Sequence, residues 1–256
     1  MITQFNSNST GIGLKNRLER NFRRFSGYLM TWLHSGHKYR APIRPYNLVW
    51  VSPASIDRCP VESPEVSPVI PSAVIGGNWD RELRLFQDDV VFRSFEKRFN
   101  EGVEWEQTPY YSRMKEWIAK SGSYKGMTNT TELDRRCSNL EKLYTTIKQD
   151  GYTPQRRLTK RKIRELDNEP HFPLEQKEIT VDVARDGELL WYAGAHRLSI
   201  AKILDLKSIP VRIRIRHEKW QQLRDRVYEG TQHDEIPTTN HPDLNPESVK
   251  AIRANI

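Results

Sequence analysis

DGELLWYAGAHRLSIAKILDLKSIPVRI, from Asp186 to Ile213, is the stretch on which the fold turns. It opens with Asp186-Gly187, two residue types that tolerate positive φ and so favour a two-residue hairpin turn. Just upstream, Ile179, Val181 and Val183 alternate with Thr180, Asp182 and Ala184, which is the period of a strand. Downstream, Glu188 to Ala193 returns as an apolar strand, and Gly194 breaks it. His196 to Leu206 then carries a broad apolar face through Leu198, Ala201 and Leu204 at helical spacing. After Ser208-Ile209-Pro210 a strand follows, with Val211, Ile213 and Ile215 pointing one way and Arg212, Arg214 and Arg216 the other. The order is hairpin, glycine turn, helix, strand.

The junction Gly194-Ala195-His196-Arg197 has the chemistry of a phosphate cradle. It sits where an apolar strand hands over to a helix. The first backbone N–H groups of a helix have no intrahelical partners, and the helix dipole favours an anion there. Glycine lets the backbone approach closely. Arg197 supplies a planar fork matched to phosphate oxygens, and His196 supplies a donor that can also carry a proton. Ser199 and Gln155 can add hydrogen bonds. The competing expectation is structural, with Arg197 a clamp paired to an acid such as Asp182 or Asp186. The phosphate reading treats Arg197 as exposed, so that Arg197→Ala leaves the fold intact.

Working outward, Leu14, Leu18, Phe22, Phe25, Leu29 and Trp32 recur at spacings of four and three, so residues 14 to 33 read as a basic amphipathic helix. Its apolar stripe is expected to pack on the protein's own core, the alternative being a membrane surface or a partner. Leu48 to Val51 reads as a short strand. Pro60, Pro64, Pro68 and Pro71 make residues 58 to 72 a linker-like crossing without regular helix or central strand. Val74 to Asp80 reads as a structural Gly-Gly turn ending in a candidate helix cap, Asp80. Helices are expected from Val90 to Asn100, from Pro109 to Lys120 and from Thr131 to Gln149, the last stopped by Gly151. Another helix is expected after Trp220. The tail from Gly230 is expected to be irregular apart from a short helix near Glu247 to Arg253.

The core stretch resembles the ParB/sulfiredoxin superfamily (the ParB N-terminal domain), in which a strand ends in G-x-[HR]-R and a helix, a short loop, I-P-V and a strand follow. Ile147 to Gln155, IKQDGYTPQ, resembles the I-x-x-x-G-x-x-Q element that precedes this core. The layout is similar to archaeal and bacterial ParB-N-domain proteins, a likeness that carries no function. The resemblance implies an α+β fold with a ParB/sulfiredoxin-like core and added helical segments. It divides the chain into an N-terminal extension at 1–46, a domain at 47–229 with an insertion at about 58–130, and a polar tail at 230–256. Sulfiredoxin carries G-C-H-R. Here Gly194, His196 and Arg197 match while Ala195 stands at the cysteine, so sulfinic-acid reduction, which needs a thiolate, is not expected. ParB carries G-E-R-R and continues into a DNA reader, for which the 40 residues after Arg216 leave little chain. The ParB-like free serine kinase has a motif closer to this one, and its acid from the first-strand region would correspond to Asp57 or Glu62. Many family members have glycine at the helix end where Asp205 stands, and Asp tolerates the left-handed turn better than most residues.

The family therefore implies a protein that binds ATP or CTP, with Mg²⁺ between the phosphates, at Gly194, Ala195, His196, Arg197, Ser199 and Gln155. His196 would be the catalytic residue if the protein is an NTPase or phosphotransferase. Charge keeps two other classes open. The 256-residue chain has a net charge of +8, and residues 1 to 50 hold eight Lys and Arg against one acid, Glu19. Lys15, Arg17, Arg20, Arg23 and Arg24 can contact DNA or another polyanion, as can the second cluster from Arg156 to Arg164. The same helix can anchor a membrane-surface protein. Deleting residues 1 to 40 is expected to leave the core folded. Hydrophobic content of 36% and a mean hydropathy of -0.76 fit a core with polar extensions, and 10% aromatics argue against disorder. No run approaches the roughly 18 apolar residues that span a bilayer. The opening MITQFNSNST lacks the marks of a signal peptide. Cys59 and Cys137 suggest neither a disulfide framework nor zinc. A cytoplasmic protein is expected.

Overall fold

The structure is a computed structural model that describes residues 8–157, 173–230 and 241–244, with side chains from Leu18 onward. Among these residues it is a mixed α and β protein. Strands β1 (Leu48–Val51), β2 (Arg58–Pro60), β3 (Ala73–Ile75), β4 (Leu83–Leu85), β5 (Ile179–Val183), β6 (Leu189–Ala193) and β7 (Ile209–His217) form one mixed sheet. Its order is β1-β7-β5-β6-β2-β4, and β3 also pairs with β7. β1 runs antiparallel to the first half of β7, and β3 parallel to its second half. β5 lies parallel to β7 and forms an antiparallel hairpin with β6. The helices are α1 (Asn8–His34), α2 (Val90–Phe99), α3 (Pro109–Ser121), α4 (Thr130–Asp150), α5 (Ala195–Ile203) and α6 (Glu218–Glu229). Side-chain caps start four of them, and at α6 the cap is His217, whose Nδ1 accepts from Lys219 N. Asp89 accepts from Val91 N, Thr108 from Tyr111 N and Asn129 from Glu132 N, each satisfying an orphan donor.

Two apolar cores meet at α5. Leu198 and Ala201 face the sheet, packing with Val181, Val183, Val211 and Ile213, while Ile200 faces Phe95, Tyr110, Leu133 and Leu140 of α2, α3 and α4. A helix enclosed on both sides has little reason to be amphipathic, which explains the breadth of its apolar face. The chain leaves it through Asp205, whose φ of 47° is the left-handed conformation expected there.

The hairpin differs in detail from the two-residue turn that Asp186-Gly187 suggests. Gly187 N–H donates to Ala184 O at 3.1 Å and Ala184 N–H to Glu188 O at 2.9 Å, so the loop is Arg185-Asp186-Gly187. Only Gly187 has positive φ, at 93°, which is the type I turn with a glycine bulge rather than a I′ turn. A side chain there would also strike Trp220, since a Cβ would lie 2.4 Å from its ring. Asp80 caps no helix. Its carboxylate accepts from Arg185 N at 2.9 Å and from Arg185 Nε at 2.8 Å, tying the Gly76–Asp80 turn to the hairpin. Nor are residues 58 to 72 wholly irregular. Arg58–Pro60 is a strand between β6 and β4, tolerated because its ladder to β6 is the single pair Arg58↔Leu190, which Pro60 does not interrupt.

The arginine face of β7 is buried. Arg212, Arg214 and Arg216 are 5–7% exposed, and each has found an oxygen. Arg214 makes a fork to Asp182 on β5, Arg216 makes a fork to Asp243, and Arg212 donates to Pro71 O. Arg214 Cζ also lies over the Tyr192 ring, 3.4 Å from its centre. Asp243 belongs to the short described piece of the tail, His241–Leu244, which docks against α6 and receives Arg224 and Trp220 Nε1 as well. The helix expected near Glu247 to Arg253 and most of the cluster from Arg156 to Arg164 lie outside the described residues.

α1 docks by the face opposite to the one its sequence suggests. Gly27, Thr31 and Ser35 are buried, while Leu18, Phe22, Phe25 and Trp32 are 55–71% exposed and Leu29 and Leu33 are 44% and 50% exposed. Small residues let the helix approach closely, and polar links fix it. Arg24 pairs with Glu175 at 2.8 Å, and Ser35 Oγ accepts from Val74 N at 3.0 Å. The following segment continues inward, with Ala41 N–H donating to Asp225 at 2.8 Å. Residues 1 to 40, whose deletion is expected to leave the core folded, thus partner buried groups of the body, Val74 N–H and Glu175 among them.

Candidate anion site at the start of helix α5

β6 ends at Ala193 and α5 begins at Ala195, with Gly194 between them at φ 91°, ψ 32°. Only glycine adopts that conformation without strain, and a Cβ there would come within 3.0 Å of Ile179 Cα on the neighbouring strand. Gly194 O accepts Leu198 N–H at 3.1 Å and closes the first turn. No side chain caps the helix, so no cap competes for the first-turn N–H groups of Ala195, His196 and Arg197. α5 thus presents the backbone donors that the sequence promised.

The His196 side chain points into the helical core. Its ring stands 5.6 Å from Phe95 and 5.6 Å from Tyr110, perpendicular to the latter. Its Nε2 is shielded from solvent and has no hydrogen-bond partner among the described residues. Burial, then the charges of Arg136, Lys125 and Arg197, push the imidazole down to about 3. The charges of three cations thus bear on a neutral histidine in the first turn of a helix. Arg136 is oriented by its Nε–H bond to Tyr110 Oη at 2.7 Å, and Lys125 is exposed on the α3–α4 connection.

Arg197 turns the other way. Its guanidinium donates to Tyr152 Oη at 3.1 Å, to Glu178 at 3.4 Å and to Lys177 O. Gln155 joins the same cluster through its backbone, its N–H donating to the Glu178 carboxylate at 2.5 Å. Burial raises Glu178 despite the opposing Arg197, and burial raises Tyr152 as well. The acid facing Arg197 is Glu178, since Asp182 is taken by Arg214 and Asp186 accepts from Glu188 N. The side chain is 18% exposed. Arg197 is thus part of the packing as well as of the site, which corrects the expectation of an exposed group whose loss leaves the fold untouched.

Gly194, Ala195, His196, Arg197 and Gln155 come together at one end of α5. Ser199 sits a turn further on, completely buried, its hydroxyl without a partner among the described residues. Asp57 accepts Lys202 Nζ of α5 at 2.6 Å, while Glu62 lines a separate cleft. Sequence reasoning missed Tyr152, Glu178, Lys125 and Arg136. Tyr152 lies inside the IKQDGYTPQ element and could have been read there, whereas the other three carry no local signal. The cleft with Glu62 has a volume of about 750 Å³, but two acids on its walls, Glu62 and Glu82, outnumber the one cation, Arg81, and oppose a phosphate. Among the described residues no group of three or more His, Cys, Asp and Glu could hold a metal ion. Comparison with family models, with curated proteins and with solved structures finds no match for this chain.

Proposed function

We propose that the start of α5 binds the phosphates of a nucleotide, ATP or CTP, in a ParB/sulfiredoxin-like core. The observation that carries this reading is the unbalanced positive charge at His196. A helix N-terminus without a side-chain cap stands at this turn, Lys125 and Arg136 bear on the imidazole as positive charges, and Arg197, turned away, shares its charge with Glu178. An anion is what such a field lacks. The family part of the reading is supported by a second meeting. The IKQDGYTPQ element and the GAHR element lie some 40 residues apart in the chain, yet Tyr152 of one bonds Arg197 of the other.

The residues fit a phosphate donor set. Backbone N–H groups of Ala195 and His196 would face oxygens, with Lys125 and Arg136 supplying charge. A Mg²⁺ ion would arrive with the phosphates and take its other ligands from them and from water. His196, neutral in the free protein, would gain a proton more readily beside an anion and so become the acid, if the bound phosphate is transferred or hydrolysed.

The test is calorimetric titration of ATP and CTP with Mg²⁺ into the wild type, Lys125→Gln and Arg136→Gln. One charged hydrogen bond is worth about 1.5–3 kcal/mol, so each variant should bind roughly 10- to 150-fold more weakly. Its ligand-free melting temperature should move little for Lys125→Gln, whose side chain is exposed. Wild-type affinity in both variants would overturn the site, and nucleotide turnover would decide whether binding leads to chemistry.

A further inference from the structure

We infer that a recess between the Arg44 turn, β7, α6 and the tail piece His241–Leu244 binds one small inorganic anion of the halide kind. Its walls carry three guanidinium groups, Arg44, Arg216 and Arg224, and one carboxylate, Asp243, with the exposed Asn47 beside them. Arg216 and Arg224 are 5% and 6% exposed. Both pair with the same Asp243, Arg216 through a fork at 2.7 and 2.9 Å and Arg224 through Nε at 3.2 Å. The other Arg224 nitrogens donate to neutral oxygens, Gln221 Oε1 at 2.6 Å and Pro42 O at 3.3 Å. Arg44 is partly buried, and its side chain makes no hydrogen bond or ion pair among the described residues. Two of the three positive charges therefore stand without a counter-charge on these walls.

Burial, offset only in part by Asp243, pulls the Arg224 guanidinium down to about 10. Asp225 attracts it as well, yet that carboxylate accepts from Ala41 N at 2.8 Å and Gln221 Nε2 at 3.1 Å and is not a wall of the recess. His241 of the tail piece is lowered by burial and accepts from Asp243 N through Nδ1, so it adds no charge at neutral pH. A buried cation short of a partner is costly, and a bound anion removes that cost. The recess measures about 20 Å³, where a single water needs roughly 10–15 Å³. It suits one monatomic ion or one water and excludes a nucleotide. The charge of the walls favours the ion. Asp243 comes from the tail piece, so the anion ties that piece and the Arg44 turn to β7. The site shares no residue with the start of α5 and does not rest on the nucleotide reading.

Thermal unfolding of the full chain in sodium chloride, against sodium gluconate at equal ionic strength, tests it. Gluconate carries the same charge but is too large to enter. At about five times its dissociation constant, chloride should raise the melting temperature by roughly 2–4 °C, and the rise should saturate. Arg44→Gln should lose that rise while melting in gluconate as the wild type does, because its side chain has no partner to forfeit. Arg93→Gln, a change at an exposed arginine paired with Asp88, should keep the rise. Bromide in a crystal should give an anomalous peak beside Arg44. Three results would overturn the inference. They are a chloride rise that is absent or does not saturate, a rise of equal size in Arg44→Gln, and a recess that holds water with no bromide peak.

Discussion

At the scale of the residue, His196 and Arg197 stand side by side in the chain and meet opposite surroundings. His196 is held neutral by burial and by three cations. Its pKa in the folded chain is below the unfolded value, so its contribution to stability is complete above about 6.5. That contribution is lost as pH falls towards about 3, because the unfolded chain binds the proton first. Urea denaturation across this window should show stability falling by the uptake of one proton, and His196→Gln should remove that component. A slope that is the same in the variant would contradict the burial. Arg197→Ala should lower the stability of the ligand-free protein. Glu178 would keep Tyr152 Oη and Gln155 N–H as donors, so the cost belongs nearer about 1–3 kcal/mol than the roughly 3–5 kcal/mol of a stripped ion pair. A melting temperature equal to wild type would show that the clamp contributes nothing. The sequence displayed both residues as a site but not their directions, since Glu178, Phe95 and Tyr110 are brought to them only by the fold.

At the scale of the element, most of the core was legible. β5, β6, α5 and β7 follow from periods of two and 3.6 and from the breaks at Gly187 and Gly194. The positive φ of Gly194 and the 3.0 Å approach to Ile179 make one change informative. Gly194→Ala should cost about 1–3 kcal/mol through strain in the left-handed region and should misplace the first turn of α5. Chemical denaturation checks the first part and loss of nucleotide binding the second. Periodicity failed at α1 for a physical reason. A moment shows which side of a helix is apolar, and the rule that the apolar side faces the core breaks when a small-residue face docks instead. Here Gly27, Thr31 and Ser35 dock, and that pattern is silent in a hydrophobicity count.

At the scale of the whole molecule, the sheet is covered by long-range charge pairing as well as by apolar packing. Arg212, Arg214 and Arg216 look like a solvated face in the sequence, and their partners arrive from Asp182, from Pro71 and from Asp243 in the tail. No local pattern announces such pairing, because the partners lie between 27 and 141 residues away. Arg216 and Arg224 hold the Asp243 carboxyl well below the usual carboxylate range, against the effect of burial. Asp243→Ala would leave both guanidinium groups and Trp220 Nε1 without that carboxylate. It should destabilise the protein by about 3–5 kcal/mol in a denaturant titration. A change under about 1 kcal/mol would mean that the tail segment is not holding the arginine face.

The central claim is that the start of α5 receives phosphate, and nuclear magnetic resonance of that turn tests it most directly. The amide signals of Ala195, His196 and Arg197 would be followed as ATP or CTP with Mg²⁺ is added, together with the titration of the His196 imidazole. The account predicts that the three amides shift together and that the imidazole pKa rises from about 3 as an anion settles beside it. Unmoved amides and an unchanged imidazole at saturating nucleotide would contradict it.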